Sequence, residues 1–179
     1  MDKDQLKQKA CAAIDEHASE LIEIGDTIFA HPELGFKEYR TSALVKSVFD
    51  KLGLPHEDGL ALTGIKARLK DADYPEGINV CVMGELDAII CPLHKNADPQ
   101  TGAAHSCGHN GQIATMLGAA MGLTLSGTSD SLCGNVYFLA APAEECVELE
   151  FRAKLIEEGK VSYLGGKQEL IHQGVFDNI

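Results

Sequence analysis

The chain is organised around the segment Ala103-Ala-His-Ser-Cys-Gly-His-Asn-Gly-Gln-Ile-Ala-Thr-Met-Leu-Gly-Ala-Ala120. Its first half places His105, Cys107 and His109 close together, and the run rich in Ala, Gly, Met and Leu that follows predicts a tightly packed helix. Imidazole and thiolate groups are ligands that zinc and related ions accept. The segment therefore predicts a metal site at the start of a buried helix.

Composition limits the class of protein. The 179 residues fit one domain, and a hydrophobic content of 45% is that of a globular chain. A net charge of -12 without a basic stripe argues against nucleic acid and anionic membranes as partners. No apolar run approaches the roughly 20 residues of a membrane span, and the polar N-terminus lacks the apolar core of a secretory signal. The six cysteines show no regular framework, so we expect reduced thiols in a cytoplasmic protein.

The first half of the chain predicts two helices and a strand. Apolar residues at steps of three and four predict one amphipathic helix over residues 4–30, ended by His31-Pro32. A second helix is predicted over 42–52, with Gly53 as its terminator. Alternation from Ile65 to Leu69 predicts a strand with one wet face, and Tyr74-Pro-Glu-Gly77 predicts a turn.

The second half alternates strands and helices. The apolar runs 78–83 and 135–140 predict strands buried on both faces. Helices are predicted over 109–123, 148–158 and 167–172. This order predicts an α/β domain with some parallel pairing. Three strands make a thin sheet for so many helices, so we expect the chain to be the front part of a longer protein.

Acidic residues follow both buried strands. Asp87 and the pair Glu144-Glu145 lie just beyond the predicted strand ends, and Cys107-Gly-His109 begins the helix between the strands. Ligands of open α/β sheets bind at the carboxyl ends of the strands, so one edge would gather all of these side chains. One glutamate could bind a metal while the other accepts a proton from an activated water. Asp87 is the natural carboxylate to orient a coordinating histidine.

Other interpretations remain open. Taken singly, Cys107 could be a small buried hydrophobe, His109 a helix cap, and Glu144-Glu145 an acidic helix start. A structural zinc site could combine Cys91 and His94 with Cys107 and His109. A thiol hydrolase could use Cys107 as nucleophile and His109 as base. A non-catalytic binding domain that kept the fold and lost the chemistry is a further alternative.

Four segments together carry a resemblance to a known family. They are His31-Pro-Glu-Leu-Gly-Phe-Lys-Glu-Tyr-Arg-Thr-Ser42, Gly84-Glu-Leu-Asp-Ala88, His105-Ser-Cys-Gly-His-Asn110 and Ala141-Pro-Ala-Glu-Glu145. In this order they resemble the aminoacylase and auxin-conjugate hydrolase branch of the M20 metallopeptidase family. The segment Gly165-Gly-Lys-Gln-Glu-Leu170 resembles the subgroup with the aminobenzoyl-glutamate hydrolases.

The resemblance implies a role for each matching residue. Cys107 would bridge two divalent ions, zinc or manganese, and His109 and Glu145 would be further metal ligands. Glu144 would be the general base, and Asp87 would support the site. The implied reaction is hydrolysis of an amide bond in an N-acyl amino acid, an aminobenzoyl-glutamate-like conjugate or a dipeptide.

The resemblance also implies an architecture. The fold would be a three-layer α/β catalytic domain with a mainly parallel sheet, and residues 1–179 would be its N-terminal portion. Family members carry a smaller lid domain that commonly dimerises, so a homodimer is expected of a full-length form. At positions 110 and 112 this chain has Asn110 and Gln112, where the auxin-conjugate branch has Asp and His. The remaining ligand histidines of the family would lie beyond residue 179, so the fragment alone is expected to be a poor enzyme.

Overall fold

The computed structural model describes residues 1–72 and 77–179, so the predicted turn at Tyr74–Gly77 lies almost wholly outside the described residues. None of the described helices is both long and apolar enough to cross a membrane. The helices are α1 (Lys3–Glu16), α2 (Ala18–Ala30), α3 (Tyr39–Leu52), α4 (His109–Leu125), α5 (Leu149–Glu157) and α6 (Gly166–His172), with a 3-10 turn at Ser129–Ser131. The strands are β1 (His56–Leu60), β2 (Gly64–Arg68), β3 (Asn79–Glu85), β4 (Ile89–Ile90), β5 (Ala103–Ala104) and β6 (Asn135–Ala141).

The main sheet has four strands in the order β1-β2-β6-β3, and β4 pairs with β5 in a separate ribbon. Strands β3 and β6, on either side of α4 in the chain, pair in parallel as expected of a crossover through a helix. Strands β1 and β2 are antiparallel, because a connection of only three residues forces them into a hairpin, and β2 also pairs with β6 in an antiparallel arrangement. The α/β class is confirmed, and the expectation of a mainly parallel sheet is corrected to a mixed sheet.

Helices cover both faces of this sheet. Along β6, Phe138 and Ala140 pack into a core with α2, α3 and α4, whereas Leu139 and Ala141 pack on the opposite side. That second core contains Leu155 of α5 and Leu170 of α6. Successive side chains of a strand point to opposite faces, so β6 is buried on both. The predicted three-layer arrangement is present.

Two elements differ from the sequence-based expectation. The helix predicted over 4–30 is two helices, because the chain leaves helical geometry at His17, whose Nδ1 lies 2.9 Å from the carbonyl of Ala13. Strand β3 was expected to be buried on both faces, but it lies at the edge of the described sheet, where Val80 and Met83 are 48% and 41% exposed. An apolar run does not reveal how many neighbours its strand has.

Candidate metal centre

The parallel pair β3/β6 brings two acidic segments to one edge of the sheet. Glu85 is in register with Ala141, so both strands end at the same level. The N–H of Leu86 then donates to the carbonyl of Ala141 over 2.9 Å, which keeps the two exiting segments together. Glu85 and Asp87 therefore lie beside the loop that carries Glu144 and Glu145, at the carboxyl ends of the strands, where ligands of open α/β sheets bind.

Helix α4 begins at the same edge and presents His109. The residue before it, Gly108, has a φ of 90°, a backbone conformation that costs glycine little and other residues more. The Nδ1–H of His109 donates to the backbone carbonyl of Asp87 over 2.8 Å and lies 3.4 Å from Oδ1 of the same residue. Its Nε2 lies 2.9 Å from Oε2 of Glu85. The buried ring is thus held with Nε2 facing the carboxylates.

Glu144 and Glu145 approach this nitrogen from the other strand. Oε2 of Glu144 lies 3.9 Å from Nε2 of His109, and Oε1 of Glu145 lies 4.0 Å from it. The side chain of Glu144 is 35% exposed, but that of Glu145 is only 15% exposed. The N–H of Glu145 also donates to Oδ2 of Asp87 over 2.9 Å. Glu145 is therefore the more buried of the two, and Glu144 is the more open to solvent.

The loop before these glutamates is held from several sides. Ala143 has a φ of 50°, a strained value for a residue with a side chain. Its N–H donates to the buried carboxyl group of Glu38, and its carbonyl accepts from Gly166. Arg152, 1% exposed, donates to the carbonyls of Ala143 and Glu145. These contacts fix the backbone on both sides of Glu144.

The electrostatics of the site favour bound protons at His109 and Cys107, but not at His105. Burial lowers the pKa of His109, but the hydrogen bond and charge of Asp87 together with the charge of Glu85 outweigh it and raise that pKa to about 9. A hydrogen bond to Glu145, then burial and nearby carboxylates, raise the pKa of the Cys107 thiol to about 11. Burial, and then His109, lower the pKa of His105 to about 4. A metal ion would take the place of protons at His109 and Cys107.

A lysine from α6 also reaches this cluster. Nζ of Lys167 forms an ion pair with Oε1 of Glu85 and lies 3.6 Å from Oε1 of Glu144. Four carboxylates, those of Glu85, Asp87, Glu144 and Glu145, therefore meet His109 and Lys167 in one place.

The donor set fits a divalent ion. Ligand atoms of Glu85, His109 and Glu144 lie within 4.8 Å of one another, the one such grouping among the described residues. Within the same described part, the buried Oδ1 of Asp87 has no hydrogen-bond partner. Carboxylate oxygen and imidazole nitrogen suit zinc and manganese. Of the predicted ligands, only His109 belongs to this grouping, whereas Cys107 and Glu145 lie beside it.

The rival sites receive less support. Nδ1 of His94 accepts from the N–H of Asn96, and its ring packs against Phe29. In residues 1–72 and 77–179, no metal-type grouping combines Cys91 and His94 with the later ligands. A catalytic Cys107 would need a free imidazole nitrogen, but both nitrogens of His109 face the oxygens of Asp87 and Glu85.

Sequence reasoning missed two members of the cluster. Glu85 was assigned no role, although the segment Gly84-Glu-Leu-Asp-Ala88 carries both acids. Lys167 lies in the segment Gly165–Leu170, but its contact with Glu85 spans 82 positions of sequence. A contact between residues so far apart in the sequence cannot be predicted from a local sequence pattern.

The fold and the site together define a class: α/β domains with a carboxylate- and imidazole-lined metal centre at the carboxyl edge of the sheet. No family model matches the chain. Thermostable carboxypeptidase 1 of Saccharolobus solfataricus is 32% identical over 145 residues, which are 78% of this chain and 35% of that protein. The N-acyl-L-amino acid amidohydrolase of Geobacillus stearothermophilus is 27% identical over 100% of this chain and 43% of its own length.

A solved structure agrees with these relatives. The Bacillus subtilis YXEP protein, a dinuclear metal binding peptidase from the M20 family, matches with a TM-score of 0.70 at 24% identity. The match covers 92% of this chain and 42% of that one. The resemblance to the M20 metallopeptidases and amidohydrolases is therefore confirmed, and the chain is related to them in sequence and fold. It spans less than half the length of these curated relatives.

Proposed function

We propose that residues 1–179 form the N-terminal portion of the catalytic domain of a metal-dependent amidohydrolase. The bond cleaved would be the amide of an N-acyl amino acid, an aminobenzoyl-glutamate-like conjugate or a dipeptide. The observation that carries this proposal is the convergence of Glu85, Glu144 and Glu145 on Nε2 of His109 at the carboxyl edge of the sheet. The names of the carboxypeptidase and amidohydrolase relatives support the reaction type.

Each side chain has a task in this proposal. The chemistry that zinc or manganese supplies when bound is Lewis acidity toward the scissile carbonyl and the attacking water. Cys107, His109 and Glu145 would hold the ions, Cys107 as a thiolate. Asp87 keeps the ring of His109 oriented by accepting from Nδ1–H through its backbone carbonyl. Glu144 takes a proton from the attacking water and returns it to the leaving amine.

Exposure supports Glu144, rather than Glu145, as the base. A base must reach both water and substrate, and Glu144 is the more exposed of the two. Glu145 is held by its own backbone, through Asp87 on one side and Arg152 on the other. A less exposed carboxylate suits a ligand, and a more exposed one suits proton transfer.

Metal content per chain tests the proposal. Desalted protein would be compared by elemental analysis with the variants Cys107→Ser, Glu145→Gln and Cys91→Ser. We expect metal to be lost in the first two and retained in the third, which removes a thiol outside the cluster. Metal that depended on Cys91 and ignored Glu145 would contradict the proposal and favour a structural zinc site.

A second comparison tests the base. In the full-length protein, Glu144→Gln should retain its metal and lose amide hydrolysis, by a factor on the order of 10² or more. Loss of metal in this variant would instead make Glu144 a ligand. The homodimer and the cytoplasmic location remain predictions from the sequence.

A further inference from the structure

Lys167 faces two glutamates of the cluster, Glu85 and the proposed base Glu144, which also lie beside Nε2 of His109. Each carboxylate turns one oxygen toward the ammonium group and the other toward the imidazole: Oε1 of Glu85 contacts Lys167, and its Oε2 contacts His109. Glu144 divides its oxygens in the same way, with Oε1 3.6 Å from Lys167 and Oε2 3.9 Å from His109. The ammonium group therefore shares two of the three residues in the metal-type grouping.

The backbone of α6 places Lys167 in this position. The N–H of Gly166 donates to the carbonyl of Ala143 over 3.0 Å, directly before Glu144. A Cβ atom on Gly166 would lie 1.8 Å from the carbonyl oxygen of Pro142, so the helix is in close contact with the loop. The backbone of the next residue, Lys167, is consequently held beside the loop that carries Glu144.

The neighbouring cations are engaged elsewhere. Arg152 donates to the carbonyls of Ala143, Glu145 and Leu164. Lys37 pairs with Glu148 at 2.7 Å. Among the ion pairs of the described residues, Lys167 is the lysine or arginine that contacts the carboxylates of the cluster.

We propose that Lys167 is a positioning residue whose ammonium group, held by Glu85 and Glu144, opposes the binding of a divalent cation at the neighbouring His109. In the metal-free protein, its ammonium group holds the two carboxylates together and offsets their repulsion. When an ion binds at His109, it and the ammonium group place two positive charges beside the same carboxylates, so Lys167 weakens binding and lowers the metal affinity. This inference rests on the proposed function, because it requires that the cluster binds metal.

The test compares Lys167→Met with Lys167→Arg, which keeps the charge. The control is Lys160→Met, which removes an exposed charge paired with Glu158 instead. Isothermal titration calorimetry with Mn²⁺ at fixed pH and ionic strength gives the Kd, and thermal unfolding in EDTA gives the metal-free stability. For Lys167→Met we expect a Kd lower on the order of tenfold together with a lower Tm in EDTA. Lys167→Arg and Lys160→Met should stay close to the unmodified protein in both measurements.

The two measurements distinguish competition from a purely structural role, because competition predicts that Lys167→Met binds Mn²⁺ more tightly but is less stable in EDTA. A lysine that only supported the fold would weaken both metal binding and stability when replaced. A Kd that is unchanged or higher in Lys167→Met, while the unmodified protein binds Mn²⁺, would overturn this inference and leave the proposed function intact. Absence of Mn²⁺ binding in both proteins would overturn the inference and the metal site together. Binding seen only in Lys167→Met would support competition.

Discussion

Glu38 is a buried carboxyl group whose surroundings oppose its ionisation. Burial raises its pKa from 4.5 to about 7, although hydrogen bonds from Thr63 and from the N–H of Ala143 act in the other direction. The group lies at the base of the strained loop that leads to Glu144. Its protonation state therefore affects the stability of the segment that carries the proposed base, Glu144.

The raised pKa predicts a loss of stability as pH rises. Between pH 4.5 and about 7 the folded state keeps a proton that the unfolded state has released, so the free energy of unfolding falls with pH in this window and levels off above it. The variant Glu38→Gln should lack this component. Urea unfolding in EDTA at pH 5 and pH 8 measures it, and the unmodified protein should lose a few kcal/mol relative to the variant, at about 1.4 kcal/mol per pKa unit.

A matched control keeps this measurement specific. Glu16→Gln alters an exposed glutamate at the end of α1 and should follow the unmodified protein at both pH values. If Glu38→Gln and the unmodified protein lost the same stability between pH 5 and pH 8, Glu38 would be ionised throughout, and the account of its burial would be wrong.

At the level of residues, the sequence predicted most of the cluster. Asp87, His109, Glu144 and Glu145 all meet at one edge, because strand ends and a helix start are recognisable from local patterns. Cys107 lies close enough to Glu145 for that carboxylate to raise the pKa of its thiol. Lys167 could not be predicted in this way, because its position depends on how α6 returns to the loop after residue 142. The individual roles stay predictions until the variants are measured.

At the level of elements, the docking of α6 depends on a residue without a side chain. Gly166→Ala would place a Cβ atom 1.8 Å from the carbonyl oxygen of Pro142 and 2.6 Å from its carbonyl carbon, and backbone atoms of a held loop cannot easily move aside. We expect the free energy of unfolding to fall by about 1–3 kcal/mol or more. Urea unfolding monitored by circular dichroism would measure the change.

Gly111 provides the contrasting substitution. It lies within α4, and a Cβ atom there would meet nothing within 4 Å. Gly111→Ala should therefore stabilise the protein by about 0.5–1 kcal/mol through helix propensity alone. If both alanine variants had the same stability as the unmodified protein, α6 would not be in the close contact described.

Elements with a strong periodic pattern were predicted well, and those without one were not. Helix α4 and strand β6 were predicted within two residues of their observed bounds. Strand β1 was missed, since its sequence His56-Glu-Asp-Gly-Leu60 has no alternation of apolar residues and its pairing with β2 depends on a short hairpin. The break at His17 was missed because the apolar spacing of α1 continues into α2.

At the scale of the whole molecule, the candidate centre joins parts of the chain that are distant in sequence. Glu85 ends β3, His109 begins α4, and Glu144 and Glu145 follow β6. An ion held at His109 and Glu145 would connect the start of α4 with the segment that follows β6. A ligand that binds only the folded state stabilises it in proportion to the logarithm of its concentration over Kd.

This linkage predicts that added Mn²⁺ or Zn²⁺ raises the Tm of the chain, whereas EDTA reverses the effect. At an ion concentration about 100 times the Kd, the stabilisation should be about 2.7 kcal/mol. Differential scanning calorimetry over a series of ion concentrations would show the expected rise in Tm. His109→Asn should abolish the rise, because it removes the imidazole on which the three carboxylates converge. Cys91→Ser should retain it. A rise in Tm that persisted in His109→Asn and disappeared in Cys91→Ser would instead place the metal in the loop between β4 and β5. The cluster at the sheet edge would then hold no metal, which would contradict its proposed role in hydrolysis.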